Sequence, residues 1–115
     1  MRVLVTGATG FTGGRLAQML AKRGEDVVAL VRDTSDTSKL KAIGAELVHG
    51  DIRDSSAVER AAEGCRVIYH IAALYRSARH PDQMYHDVNV VGTENVLRAA
   101  EIHDIPRVVH CSTVG

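Results

Sequence analysis

The sequence TGATGFTG occupies residues 6–13 of this chain. An apolar run, VLV at residues 3–5, precedes it, and an amphipathic run over residues 15–22 follows it. This order predicts a strand, a glycine-rich turn and a helix. The backbone N–H groups of such a turn and the positive end of the helix dipole converge on one point. That point is suited to bind a diphosphate.

Each glycine of the turn has a predicted role. We expect Gly7 to allow a sharp turn, Gly10 to let the backbone approach a ligand without a Cβ, and Gly13 to let the helix pack close to the strand. The spacing is Gly-x-x-Gly-x-x-Gly, one residue wider in its first gap than the Gly-x-Gly-x-x-Gly fingerprint. A glycine pattern alone is equally typical of a plain loop, but the flanking strand and helix favour nucleotide binding.

The composition is that of one globular domain. The 115 residues carry 14 Lys and Arg against 14 Asp and Glu, a formal net charge of zero. A nucleic-acid or anionic-membrane partner requires a basic face, so this balance argues against both. No apolar run reaches the ~18 residues of a membrane span, and a strand beginning at Arg2 leaves no room for a signal peptide. We expect a cytoplasmic protein in which Cys65 and Cys111 are free thiols.

Short apolar runs alternate with helical segments along the chain. These runs lack strict in–out alternation, which is typical of strands covered on both faces in a parallel sheet. The predicted strands are residues 2–6, 26–32, 45–49, 66–72 and 107–112. The predicted helices are residues 13–23, 37–43, 55–63 and 81–102. With right-handed crossovers, the pattern predicts an α/β fold with a Rossmann-type doubly wound parallel sheet of five strands in the order 3-2-1-4-5, within one domain over residues 1–115.

Particular residues refine the predicted helices. An apolar stripe of Leu16, Met19 and Leu20 is expected to face the core from the first helix. The hydroxyl of Ser55 is expected to cap the third helix. A glycine inside the fourth helix, Gly92, costs about 1 kcal/mol against alanine, so we expect close packing there.

The carboxyl ends of the strands form the ligand edge of a doubly wound sheet. Arg32 ends the second predicted strand and Lys39 follows seven residues later, so both are candidates to bind the 2′-phosphate of NADP. Asp33 keeps NAD open as the alternative, because an acid at this position accepts hydrogen bonds from the ribose hydroxyls. The plainer interpretation of Arg32 is a solvated charge at a strand end.

Further candidates follow the other strands. Asp51 is suited to accept a hydrogen bond from the amino group of adenine and Ile52 to pack on the ring, although an isolated acid in a loop is more often a turn former. The small pair Ala72-Ala73 is suited to let the backbone pass beside a ligand, although alanines also suit plain packing. The pair Ser112-Thr113 places two hydroxyls at the same rim.

Five motifs occur in order and at suitable spacing. They are residues 6–13 (TGATGFTG), 50–54 (GDIRD), 70–73 (HIAA), 89–93 (NVVGT) and 110–113 (HCST). Over the whole chain they resemble the N-terminal half of an extended short-chain dehydrogenase/reductase, the NAD(P)-dependent epimerase/dehydratase superfamily. Arg32 with Lys39 resembles the dihydroflavonol-reductase-like branch, in which such a pair faces the NADP 2′-phosphate. A single motif is moderately specific, whereas five in register are highly specific.

The resemblance implies roles for individual residues. It places the diphosphate among Gly7, Thr9, Gly10, Phe11, Thr12 and Gly13, adenine at Asp51 and Ile52, and the middle of the cofactor at Ile71, Ala72, Ala73 and Asn89. It also places Thr113 at the catalytic Ser or Thr of the family, with Ser112 as its neighbour.

The family's remaining catalytic pair is Tyr-x-x-x-Lys, which follows the fifth strand. Its lysine lowers the tyrosine pKa so that the phenol exchanges a proton with the substrate, while hydride passes between nicotinamide and carbon. None of Tyr69, Tyr75 and Tyr85 is followed by Lys four positions later. We therefore expect the NAD(P)-binding half of an oxidoreductase acting on a secondary alcohol or ketone, or a naturally truncated relative, inactive by itself.

Two other functions remain open. One is a nucleotide-sugar epimerase or dehydratase of the same superfamily, and the other is a non-catalytic NAD(P)-binding sensor. The six histidines lack metal-ligand spacing, and no P-loop lysine or hydrolase Gly-x-Ser-x-Gly elbow is present. We expect NADP as cofactor, a small-molecule substrate, no metal, and self-association through the uncovered fifth strand or the long fourth helix.

Overall fold

A computed structural model of the chain describes residues 1–71 and 87–111. In these residues the strands are β1 (Arg2–Thr6), β2 (Asp26–Val31), β3 (Glu46–His49), β4 (Val67–His70) and β5 (Arg107–His110). The α-helices are α1 (Phe11–Lys22), α2 (Ser38–Ala42), α3 (Ser55–Ala62) and α4 (Gly92–Ile102). A π-helical turn, Asp87–Val91, leads directly into α4.

The strands form one parallel sheet in the order β3-β2-β1-β4-β5, which confirms the predicted fold class and strand order. Strand β1 pairs with β2 on one side and with β4 on the other. The last residue of β1, Thr6, lies opposite Leu30 of β2 and His70 of β4. The strand order therefore reverses at β1, and the crevice beyond β1 and β4 is the expected ligand edge.

Alternate residues of β1 face two separate cores. Leu4 packs in one core with Val58 of α3 and Val96 of α4. Val5 packs in the other core with Leu20 of α1. Because helices cover both faces, the central strands are continuous apolar runs, which is why periodicity located them.

The predicted apolar stripe of α1 is partly wrong. Leu20 is buried as predicted, but Met19 is 60% exposed, and the helix buries Gly13 and Ala17 beside Leu20. These three positions follow the spacing i, i+4, i+7, so they share one helix face, and Leu16 packs beside them. Because α1 lies close to the sheet, only small residues fit at two of these positions, Gly13 and Ala17.

The predicted cap of α3 is also wrong. The N-cap residue is Asp54, whose carboxylate accepts a hydrogen bond of 3.0 Å from the Ser56 N–H. Ser55 is already the first helical residue, and a capping side chain must come from the residue just outside the helix.

The fourth predicted helix differs from expectation at its start. Residues 81–86 lie outside the described residues, Asp87–Val91 form the π-helical turn, and regular α-helix begins at Gly92. The predicted close packing at Gly92 is confirmed, because a Cβ there would lie 3.0 Å from Cγ1 of Ile52. Over the described ranges, no helix is long and apolar enough to cross a membrane.

Candidate functional site

The glycine turn lies at the carboxyl end of β1. Gly7 follows the strand with φ +70°, in the left-handed region that glycine adopts without a Cβ penalty. The Gly10 N–H donates a 3.1 Å hydrogen bond to the Gly7 carbonyl, which closes the turn. The predicted sharp turn at Gly7 is therefore confirmed.

Gly13 sets the distance between helix and strand. It is buried in α1, and a Cβ built on it would overlap the carbonyl oxygen of Gly7. The predicted close packing at Gly13 is confirmed. A Cβ on Gly10 would instead lie at an ordinary 3.4 Å from the same oxygen, so packing does not demand glycine there. Its predicted role, backbone access for a ligand, remains a prediction.

The N-terminus of α1 retains unsatisfied donors. The Gly14 N–H donates to the Gly10 carbonyl at 2.9 Å, so the N–H groups of Phe11, Thr12 and Gly13 precede the helical hydrogen-bond ladder. Gly10 offers no capping side chain, and no acidic residue occupies the first turn of this helix. The positive end of the helix dipole is therefore uncompensated. This donor set fits an anionic group such as a diphosphate.

Two cavities adjoin the turn. The strand-end cavity has about 100 Å³ and is lined by Thr6, Gly7, Thr9, Leu30, Val31, Arg32, Ser35, Gly50 and Ile52. The interhelix cavity, between α1 and α2, has about 330 Å³ and is lined by Ala8, Thr9, Gly10, Phe11, Gly14, Arg15, Gln18, Asp36, Lys39, Leu40 and Ile43. Thr9 lines both cavities, so they meet at the glycine turn.

The cavities bring together several predicted cofactor residues. Arg32 and Ile52 lie in the strand-end cavity, whereas Lys39 and Phe11 lie in the interhelix cavity. The prediction that Arg32 and Lys39 share one phosphate stays a prediction. Phe11 is 81% exposed, and the Arg15 guanidinium lies 5.7 Å from its ring centroid. The ring is therefore open to a ligand at the mouth of the turn.

Around these cavities the acidic side chains have close partners, whereas two basic side chains form no ion pair within the described residues. Within the described residues, the Arg32 and Lys39 side chains form no ion pair. The neighbouring acids are engaged: Asp33 contacts His49 Nδ1 at 3.2 Å, and Asp36 accepts hydrogen bonds from the N–H and hydroxyl of Ser38. The Ser38 hydrogen bonds lower the pKa of Asp36. Positive charge is thus left available at the cavity rim.

Asp51 is a turn former. Its carboxylate accepts three hydrogen bonds from Arg53, from the backbone N–H at 2.9 Å, from Nε at 3.0 Å and from an Nη at 2.7 Å. The Arg53 side chain is the main cause that lowers the pKa of Asp51 to about 2, against the cost of burial. The carboxylate is therefore held ionised. Its predicted contact with adenine stays a prediction.

Helix α4 holds Ile52 in place. The Ile52 carbonyl accepts a 3.0 Å hydrogen bond from the Asn95 side-chain amide, and the Ile52 side chain packs against Gly92. Asn95 was missed from the sequence because no local signal marks a helical asparagine that bonds to a residue 43 positions earlier. The position of Ile52 in the strand-end cavity therefore depends on α4 as well as on the loop after β3.

A buried histidine joins the ends of β1 and β4. His70 is 2% exposed, its Nδ1 lies 2.8 Å from Thr6 Oγ1, and its Nε2 lies 3.1 Å from Thr93 Oγ1. Burial, with the stacked ring of His110 at 5.0 Å, lowers the pKa of His70 to about 4. Sequence reasoning noted His70 only as part of a motif. A histidine amid an apolar strand was the available signal.

Other predicted site residues lie along this part of the edge. Ile71, which follows β4, is half-buried, and Asn89 is half-buried within the π-helical turn. Ala72, Ala73, Ser112 and Thr113 lie outside the described residues. The cofactor contacts of Ile71 and Asn89 remain predictions.

A glycine turn with free helical donors, at the point where strand order reverses in a parallel sheet, defines a Rossmann-type dinucleotide-binding domain. The family model described as "NAD dependent epimerase/dehydratase family" matches residues 3–115, and the chain belongs to this family.

Relatives in the family include reductases and epimerases. The chain is 42% identical, over 113 residues, to the 4-hydroxy-2-methyl-3-oxo-4-farnesyl-3,4-dihydroquinoline-1-oxide ketoreductase of Stigmatella aurantiaca, covering 98% of this chain and 34% of that protein. It is 36% identical, over 111 residues, to a putative dihydroflavonol 4-reductase of Synechocystis, covering 96% of this chain and 32% of that protein.

Solved structures agree with this assignment. The UDP-glucose-4-epimerase of Stenotrophomonas maltophila, solved with bound NAD and formylated UDP-arabinopyranose, superposes with a TM-score of 0.86 at 27% identity. The match covers 99% of this chain and 37% of that one. The chain thus spans about a third of the length of these relatives, 34% and 32% of the two reductases, and corresponds to their cofactor-binding part.

Proposed function

We propose that this chain forms the NADP-binding part of an oxidoreductase that transfers a hydride between nicotinamide and a secondary alcohol or ketone. The observation that carries the proposal is the uncompensated N-terminus of α1 at the glycine turn. The similarity to a ketoreductase and to a putative dihydroflavonol 4-reductase supports the reaction class. Bound NADP supplies the hydride donor and acceptor, which no protein side chain provides.

The residues of this chain bind and orient the cofactor in this proposal. The N–H groups of Phe11, Thr12 and Gly13 bind the diphosphate, because they lack helical acceptors. Ile52 packs against adenine from the strand-end cavity, and the ionised Asp51 accepts from the exocyclic amino group. Thr113 orients the substrate oxygen.

The choice of NADP over NAD rests on the available charges. Arg32 lines the strand-end cavity and Lys39 the adjoining interhelix cavity, and neither forms an ion pair within the described residues. Asp33, the acid that would favour NAD, contacts His49. Two cations that form no ion pair within the described residues therefore support a 2′-phosphate, whereas the carboxylate of Asp33 is in contact with His49.

A nucleotide-sugar epimerase is the second candidate. The structural similarity to an epimerase solved with bound NAD favours it. A non-catalytic sensor module is the third. Because no tyrosine of the 115 residues has Lys four positions later, we propose that the chain by itself binds cofactor without turnover.

The free thiols of Cys65 and Cys111 support a cytoplasmic location.

The test is a titration of the chain with NADPH and NADH, followed by nicotinamide fluorescence. We expect saturable binding, tighter for NADPH. The informative variant is Gly10→Asp, because Gly10 is the exposed N-cap of α1 with φ −82° and ψ 174°, a conformation that aspartate readily adopts. The carboxylate caps the helix but repels the diphosphate.

The matched control is Gly10→Asn, which has the same shape without the charge. We expect Gly10→Asp to bind NADPH about tenfold or more weakly than Gly10→Asn, with equal or higher thermal stability. Equal affinity of the two variants contradicts the diphosphate assignment. Absence of saturable binding by the wild-type chain contradicts the proposed function.

A further inference from the structure

The side chain of His70 spans three elements of the ligand edge. Its Nδ1 is 2.8 Å from the hydroxyl of Thr6 at the end of β1, and its Nε2 is 3.1 Å from the hydroxyl of Thr93 in the first turn of α4. His70 itself ends β4 and is 2% exposed. The imidazole therefore bridges β1 and α4 from β4, out of reach of solvent.

The hydrogen bonds define the tautomer of this ring. The Thr93 hydroxyl donates to the Asn89 carbonyl at 2.6 Å. Its single hydrogen is used there, so Thr93 Oγ1 accepts from His70 Nε2–H. His70 Nδ1 is then unprotonated and accepts from the Thr6 hydroxyl. The neutral ring, with its hydrogen on Nε2, satisfies both contacts.

The bridge ends beside Gly7, Ile71 and Asn89, three positions that the family resemblance predicts to contact the cofactor. Thr6 directly precedes Gly7, and Thr6 Oγ1 accepts a 3.0 Å hydrogen bond from the Ile71 N–H. On the other side, Thr93 holds the carbonyl of Asn89. Asn89 lies in the π-helical turn, a distortion that occurs frequently at functional sites. The sheet itself pairs β1 with β4, and the His70 side chain links the Asn89 turn to the ends of these two strands.

We propose that His70 is a positioning residue, with Thr93 as its partner, that holds the Asn89 turn at the distance from β1 and β4 which a full dinucleotide requires. His70 is too buried to contact the cofactor itself. The inference rests on the proposed function, because it needs a dinucleotide at this edge. His70 is thus added to the residues of the proposed cofactor site, and it acts on the cofactor only through Thr6, Thr93 and Asn89.

The decisive variant is Thr93→Val, which keeps the shape of the side chain and removes the hydroxyl. It breaks the link to the Asn89 turn but leaves the contact between His70 and Thr6. The expected result is a split between two ligands. NADPH, which extends to the Asn89 turn, is expected to bind about tenfold more weakly, whereas 2′,5′-ADP, which ends at the glycine turn, is expected to bind within about twofold of wild type.

The matched control is Thr93→Ser, which retains the hydroxyl and is expected to keep wild-type affinity for both ligands. A merely structural role for the bridge affects both ligands alike, so equal losses overturn the inference. Unchanged NADPH affinity in Thr93→Val also overturns it. Should the wild type prefer NADH, the pair of ligands is NADH and ADP.

A second variant keeps the inference testable if Thr93→Val does not fold. In His70→Asn the amide overlays the position of Nδ1 and leaves Thr93 without its donor, so the same split between ligands is expected. Nitrogen-15 NMR of the wild-type imidazole supplies an independent readout, with a proton on Nε2 and none on Nδ1. A wild-type chain that binds neither NADPH nor NADH contradicts the proposed function, whereas binding without the split contradicts only the role of His70.

Discussion

Gly92 of α4 and Ile52 of the loop after β3 are in direct contact. A Cβ built on Gly92 would lie 3.0 Å from Cγ1 and 3.2 Å from Cγ2 of Ile52. Asn95, one turn further along α4, bonds to the Ile52 carbonyl. Ile52, which lines the strand-end cavity, is therefore held from behind by a helix that begins 40 residues later in the sequence, at Gly92.

This contact predicts the effect of Gly92→Ala. Alanine favours a helix by about 1 kcal/mol over glycine, but the new methyl group displaces Ile52, and overpacking costs about 1–3 kcal/mol. We expect a net loss of about 1 kcal/mol in the free energy of unfolding. In an Ile52→Ala background the space is open, and the same substitution is expected to stabilise the protein. Urea unfolding of the four proteins measures the change of sign. Stabilisation in both backgrounds contradicts the prediction.

Arg32→Ala tests the choice of cofactor. A charge-assisted hydrogen bond to the 2′-phosphate is worth about 1.5–3 kcal/mol, so we expect roughly a 10- to 150-fold loss of NADPH affinity. NADH affinity is expected to stay unchanged, because NADH lacks that phosphate. The control is Arg66→Ala, an exposed arginine just before β4, at the opposite end of the sheet. An unaltered NADPH affinity in Arg32→Ala shows the phosphate assignment to be wrong.

Arg53→Met is expected to change the acidity of Asp51. Arg53 holds the pKa of Asp51 at about 2, against an ordinary value of 3.8, so its removal raises that pKa toward 3.8. A lowered carboxylate pKa contributes stability above pH 3.8 that is lost as the pH falls toward 2. With solvent screening, this contribution is about 1 kcal/mol. Carbon-13 NMR titration of the Asp51 carboxyl measures this pKa, and Arg60→Met is the control. If the titration midpoint is the same in Arg53→Met as in the wild type, Arg53 does not cause the lowered pKa.

His70 is expected to make stability depend on pH. Burial among its neighbours, with His110 as the titratable group that faces it, lowers the pKa of His70 from 6.5 to about 4. His70 is therefore protonated below pH 6.5 in the unfolded chain, but only below about pH 4 in the folded chain. The free energy of unfolding is therefore highest above pH 6.5. It decreases as the pH falls from 6.5 to about 4, by at most about 3 kcal/mol. Urea unfolding from pH 7.5 to 4.5 measures this slope, which should be shallower in His70→Asn. Parallel slopes for wild type and variant exclude His70 as the source.

We also propose self-association of the chain. Among the described residues β5 pairs only with β4, and its Val109 is 39% exposed, so an apolar sheet edge is accessible. Leu97 on α4, 54% exposed, marks the alternative surface. Sedimentation of Val109→Lys and Leu97→Lys separates the two: the variant at the interface is expected to shift toward monomer, and the other is not. A wild-type chain that sediments as a monomer at all concentrations contradicts the proposal.

The fold and the glycine turn could be predicted from the amino-acid sequence alone. Both follow from short-range properties: apolar runs, glycine's tolerance of φ +70° at Gly7, and the lack of an acid in the first turn of α1. The strand order followed because right-handed crossovers leave few topologies. The N-cap of α3 was predicted one position too late, at Ser55 instead of Asp54, because two neighbouring residues can both cap a helix.

The side chains that meet at the ligand edge could not be predicted from the sequence, because strand register and helix packing bring them together. Thr6 and His70 are 64 residues apart and become neighbours because β1 pairs with β4 in that register, and Thr93 joins them from a helix that packs across the sheet. Met19 faces solvent because the close approach at Gly13 turns α1 toward its small residues. Periodicity reports that a face is apolar, whereas register and the distance between packed elements determine its partners.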